Sequence, residues 1–193
     1  MPPIPSVTKA FMLACVGLYC VFYLVPGLRP WFELWPLMSG NFMPWQVLSY
    51  AFMHGSEWHL FFNMLGLWMF GSELERVWGA KRYTHILLAS TLAAALVQLL
   101  VTFLMGSMAP TVGASGALFG LLLSFGMLFP DRIIVPLFPP IPMKAKYFVA
   151  IFGALELLLG VFNNGGGVAH FAHLGGMLGA WLLIRYWRTP RRR

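Results

Sequence analysis

From Ala10 to Val25 the chain runs without a single charged residue, and five more apolar runs follow, near residues 58–72, 83–105, 112–129, 147–162 and 168–187. Runs of this kind leave few choices. Backbone amides inside hydrocarbon must satisfy one another, so spanning segments coil into helices. A full crossing takes roughly 20 residues, which leaves the fourth and fifth runs short. Composition points the same way, with 59% apolar residues and only 10% charged ones, against roughly 45–50% apolar in an average soluble domain. The fold class is therefore expected to be all-α, a polytopic membrane protein built as a six-transmembrane-helix bundle.

The segments between the runs set the topology. Arg76, Lys81 and Arg82 separate runs two and three, Arg132, Lys144 and Lys146 separate runs four and five, and five arginines from Arg185 to Arg193 close the chain. Six alternating spans put all of these on one side with Lys9 and leave Arg29 alone on the other, which predicts both termini in the cytoplasm. The net charge of +7 then reflects anionic lipid rather than nucleic acid, because no aromatic-interleaved basic patch occurs. The first run has only Lys9 before it and no small-x-small cleavage site after it, so it reads as a retained helix and not a signal peptide. Residues 27–56 carry Trp31, Trp35 and Trp45 among prolines and suit the membrane interface. They form a loop within a single domain covering residues 1–193. Cys15 and Cys20, five apart and on different helix faces, read as packing residues.

Polar residues inside such runs need a reason. Ser115 opens the fourth run in Gly113-Ala-Ser115-Gly116, and His170 and His173 open the sixth. Counting from the charged ends at 1.5 Å per residue puts Ser115 and His59 at roughly 24 Å and His173 at roughly 18 Å, with Asn63 one turn below His59. In a core of about 30 Å these groups share one level in the outward half. Gly116-x-x-x-Gly120 in run four, and Gly175, Gly176 and Gly179 in run six, provide small faces on which the helices can touch.

The chemistry of that set is hydrolytic. A serine hydroxyl becomes a nucleophile when a base takes its proton, and His173 is the expected base. His170, nearer the outer end, is expected to be solvated or bonded within its loop. His59 and Asn63 share a helix face and, with the Ser115 amide at the positive end of its helix, are candidate donors for an oxyanion. No third acidic member stands out: Glu57 lies at the outer end of its run, and Glu156 lies mid-membrane without an assigned role. A Ser-His dyad in a water-filled recess is expected, with no cofactor and no metal.

These motifs resemble the rhomboid family of intramembrane serine proteases, through His54-x4-His59-x3-Asn63, Gly113-Ala-Ser115-Gly116 and Ala172-His173-x2-Gly176 in that order. The resemblance implies Ser115 as nucleophile, His173 as base and later acid, and His59, Asn63 and the Ser115 amide as oxyanion hole. It also implies that Gly113 permits a tight junction before Ser115 and that Phe119 is the aromatic ring beneath the histidine. The implied reaction is cleavage of peptide bonds in or beside transmembrane segments, which enter laterally from the bilayer past the fifth helix. Where the family often has Trp-Arg in the first loop, this chain has Trp45-Gln46. Glu75-Arg76 resembles the family's charged pair after the second helix. The chain resembles the minimal six-helix bacterial form, implying an inner-membrane location.

Other readings compete. A catalytically silent relative would bind transmembrane clients without cutting them. A metal enzyme or transporter would use His54, His59, His170 and His173, but no His-Glu-x-x-His occurs and acidic ligands are scarce. A channel would need a charge-lined path, and none is evident. Asn163-Asn164-Gly165-Gly166-Gly167 reads either as a mobile loop over the site or as an ordinary turn.

Overall fold

The computed structural model describes residues 3–137, 139–162 and 169–189, so the glycine-rich loop 163–167 lies outside the described residues. Its long helices are α1 (Ser6–Leu24), α2 (Glu57–Gly66), α3 (Ser72–Met105), α4 (Ser115–Leu128), α5 (Ala145–Phe162) and α6 (His170–Arg188). A single turn of π-helix, Leu67–Gly71, joins α2 to α3, making 49 continuous helical residues. At about 1.5 Å per residue that is roughly 74 Å, over twice the hydrocarbon core. The break is Gly79, whose φ of 74° and ψ of 161° turn the chain back. Residues 57–78 and 80–105 are thus two crossings. The second apolar run was expected to end near 72, yet its helix continues until that glycine.

By length and composition α1, the 57–105 stretch and α5 are apolar enough to cross a membrane. Beyond the pair β1 (Ile133–Ile134) and β2 (Met143–Lys144) and one isolated bridge, the described residues contain no strand. The protein is an all-α membrane bundle. Its short α4 is buried along most of its length, packed between α3 and α6, while α5 lies against α4 and α6. Fourteen residues reach only about 21 Å, so α4 is too short to reach both faces of a core of about 30 Å.

Close approach of α4 and α6 depends on the absence of side chains. A Cβ placed on Gly176 would strike the Gly116 carbonyl, with the Gly116 carbonyl carbon at 2.7 Å. Backbone meets backbone there, so no side chain can yield. The other face of α6 presses Gly175 and Gly179 onto Ala89, Ala93 and Ala94 of α3.

Charge gathers at one end. Glu75, buried, accepts from Val7 N at 2.9 Å, Thr8 N at 2.8 Å and Thr8 Oγ1 at 2.8 Å, serving the first amides of α1 that have no partner in their own helix. Arg76 Nη2 donates to Pro3 O at 3.0 Å. Arg132 pairs with Glu73, Lys144 and Lys146 hold Asp131 at 3.1 and 2.9 Å, and Arg82 lies over Trp187. Arg29 pairs with Glu33 in the first loop instead, at 3.0 Å.

That loop is organised by Gln46, which is fully buried. Its Oε1 accepts from Trp35 N at 3.2 Å and Met43 N at 3.1 Å; its Nε2 donates to Pro30 O at 3.3 Å and Asn41 O at 3.2 Å. The Trp35 and Trp45 indoles donate to Pro30 O and Trp31 O. Leu34 and Thr111 exchange backbone bonds of 3.0 and 2.9 Å, tying the loop to the segment that leads into Ser115.

Candidate active site

Ser115 is the first residue of α4. Its amide precedes any intrahelical acceptor and sits at the positive end of the helix dipole. The turn before it belongs to Gly113, whose φ of 130° disfavours every other residue. Gly113 N donates to Tyr50 O at 2.9 Å, and the Tyr50 hydroxyl donates to Thr91 O at 2.9 Å. Tyr50 therefore fixes the loop from beneath. Nothing in its sequence context marks that role.

Across the small-residue seam, His173 Nε2 lies 2.7 Å from Ser115 Oγ. Phe119, one turn along α4, lies parallel beneath the imidazole, at 4.3 Å between centroids and 4° between planes. The ring is held in one plane and aimed at the hydroxyl.

His59 approaches from α2. Ser56 Oγ accepts from His59 N at 3.2 Å and caps that helix. Gly55 N donates to His59 Nδ1 at 3.4 Å, which leaves the proton of the neutral ring on Nε2. A Cβ on Gly113 would stand 2.8 Å from His59 Nε2 and 3.5 Å from Ser115 Oγ. The His59 N–H and the serine hydroxyl thus face the same small space. Asn63, one turn on and buried, donates from Nδ2 to His59 O at 2.8 Å. Its second amide hydrogen stays free of that bond, while its Oδ1 has no partner.

The four histidines considered as one metal set separate into two pairs. His54 lies edge-on to His59 at 5.1 Å, and His170 is perpendicular to His173 at 6.4 Å. The second pair meets the residue left without a role, Glu156 of α5. Its Oε2 is 2.6 Å from His170 Nδ1 and 2.9 Å from His173 Nδ1. His170, expected to be solvated or bonded within its loop, is instead 8% exposed and bonded to Glu156 of α5, because Gly160 of α5 packs against it and Phe171. Among the described residues these three could hold a metal ion, since their ligand atoms lie within 4.8 Å of one another.

Fold and site together define an all-α integral membrane protein with a serine-histidine pair set among its helices. The chain belongs to the rhomboid family: residues 41–189 match the rhomboid domain. It is 34% identical over 154 residues to Rhomboid protein 1, mitochondrial, of Saccharomyces cerevisiae, covering 76% of this chain and 44% of that protein. It is 27% identical over 187 residues to Rhomboid protease GlpG of Yersinia pestis, covering 94% and 62%. The match therefore spans less than two thirds of either relative.

Proposed function

We propose that this protein is an intramembrane serine endopeptidase that hydrolyses peptide bonds in or next to transmembrane segments of membrane-protein substrates. The observation that carries the reading is the 2.7 Å contact between Ser115 Oγ and His173 Nε2 at the start of a helix too short to reach both faces of the bilayer. The name of the relative Rhomboid protease GlpG supports it.

In the proposed reaction, His173 Nε2 takes the Ser115 proton as Oγ attacks the carbonyl carbon. The oxyanion receives hydrogen bonds from the Ser115 amide, His59 Nε2–H and Asn63 Nδ2–H. His173 then gives its proton to the leaving amine. Water repeats the sequence on the acyl-enzyme and frees Ser115. Gly113 and the Gly116–Gly176 contact keep the backbones close enough for this, and Phe119 supports the imidazolium from its face. A metal ion or cofactor takes no part.

The setting we propose is a bacterial inner membrane, with both termini cytoplasmic, since the basic residues of the bundle gather at one end. Residues 27–56 form a membrane-interface loop within one domain, with the exposed faces of Trp31 and Trp45 towards the lipid headgroups. Substrate helices enter laterally from the bilayer.

The test is cleavage of a tagged transmembrane substrate by the purified protein in liposomes, beside Ser115→Ala and His173→Ala. Wild type alone should cut, near the outer end of the segment. Binding without cleavage by all three proteins would replace the protease with a client-binding relative.

A further inference from the structure

Glu156 is the one charged residue in α5 after Lys146, about 16 Å along the helix from Ala145. A carboxylate at that depth carries a large desolvation cost unless polar groups meet it. Two imidazoles do so. The His170 ring stands perpendicular to that of His173, so that both Nδ1 atoms converge on one oxygen, Oε2, at 2.6 and 2.9 Å. Each face of His173 is thereby assigned: Ser115 on Nε2, Phe119 beneath the ring, and Glu156 on Nδ1.

Resting on the serine-protease reading, we propose that Glu156 is a positioning residue for the base, and that His170 clamps its carboxylate against Nδ1 of His173. A neutral imidazole carries one N–H. An ionised carboxylate only accepts, so its place beside Nδ1 keeps the proton there. The Nε2 lone pair is then free for the Ser115 hydroxyl, as in other carboxylate-oriented histidines. When His173 takes the serine proton, the ring carries a proton on each nitrogen, and the charge faces Glu156 on the side away from the reacting atoms. No proton passes to Glu156. His173 Nδ1 meets Oε2 at hydrogen-bond distance but without hydrogen-bond alignment, an arrangement that tightens as charge develops. His170, bonded to the same oxygen, stops the carboxylate from turning away.

A merely structural Glu156 would fasten α5 to α6 and nothing more. The two roles separate in kinetics measured on the full chain in liposomes, with kcat and KM determined individually for wild type, Glu156→Gln, Glu156→Asp and His170→Gln. Labelling of Ser115 by a fluorophosphonate is followed in parallel. Glu156→Gln, nearly the same shape, should lower kcat and the labelling rate by roughly 10–100-fold while KM stays within about twofold. Glu156→Asp should recover part of the loss, and His170→Gln should lose less than Glu156→Gln. The second measurement needs no variant: nitrogen-15 shifts of the histidines in the wild-type protein should show His173 as the Nδ1–H tautomer. An Nε2–H tautomer, or Glu156→Gln with wild-type kcat, overturns the role of Glu156 and leaves the protease reading standing. A wild-type protein that neither cuts nor labels at Ser115 overturns both.

Discussion

Phe119 lies parallel to the imidazole of His173, 4.3 Å between centroids and 4° from coplanar orientation. Face-to-face stacking suits a ring that becomes cationic in the proposed reaction, because the negative face of the benzene ring then meets positive charge. With such a contact worth about 1–2 kcal/mol when desolvated, Phe119→Leu should lower kcat by roughly 5–30-fold. Phe119→Tyr keeps the face and should stay within about threefold of wild type. Equal kcat for the leucine protein would mean that the ring serves only packing.

The seam between α4 and α6 makes a sharper demand. Gly176→Ala would drive a methyl group into the Gly116 carbonyl, and the helices must part to relieve it. Because Ser115 and His173 lie on opposite sides of that seam, small displacements fall directly on their 2.7 Å contact. Gly176→Ala should therefore reduce cleavage at least roughly 100-fold. Gly17→Ala provides the control: nothing lies within 4 Å of a Cβ there, and the added helix propensity should stabilise α1 by up to about 1 kcal/mol. Thermal unfolding in detergent and initial rates measured together decide both.

Gln46 gives a prediction about stability alone. Its side chain serves two backbone amides and two carbonyls of the first loop. At about 1 kcal/mol for each bond, Gln46→Ala should cost about 2–4 kcal/mol, after allowing for water reaching some of the groups. Gln46→Glu should also destabilise, since a carboxylate has no hydrogen for Pro30 O and Asn41 O. A melting temperature for Gln46→Ala equal to wild type would contradict the hub role.

His54, in the loop before α2, links stability to pH. Burial, with the neighbouring His59 second, pushes its pKa down to about 4 from an ordinary 6.5. The unfolded chain thus takes up a proton at a pH where the folded chain refuses it. Stability is fully present above about 6.5 and falls as the pH drops towards 4, by up to about 3 kcal/mol from this group. Unfolding midpoints measured from pH 7 to pH 4 should decline, and the decline should be shallower in His54→Asn. Identical slopes would remove His54 as the cause.

Much of this architecture is legible in the amino-acid sequence because hydrocarbon imposes so few solutions. The apolar runs mark the helices, and counting residues along them places Ser115, His59 and His173 at one level. Counting gives height but not rotation. Whether Glu156 turns towards lipid, α4 or α6 depends on how α5 packs, and no period in a uniformly apolar helix records that. The expectation for His170 fails for the same reason, since α5 covers a position that looks like an exposed helix start. Gln46 shows a related limit. Its place after Trp45 is visible, whereas its four bonds depend on a loop path that only Leu34–Thr111 pairing and the short turns define.

The cluster of Glu156, His170 and His173 permits a last prediction, concerning metal. Two imidazoles and a carboxylate are a set that zinc accepts, and their ligand atoms lie within 4.8 Å of one another. An ion on His173 Nδ1 leaves the proton of the neutral ring on Nε2, so the ring can no longer take one from Ser115. Zinc should therefore inhibit, and a chelator should leave cleavage unchanged in metal-free buffer while reversing inhibition by added zinc. His170→Gln removes one ligand and should raise the zinc concentration for half-inhibition by at least roughly tenfold. Cleavage that disappears with chelator and returns with zinc would instead give the ion a part in the reaction, and would withdraw Ser115 as a metal-independent nucleophile.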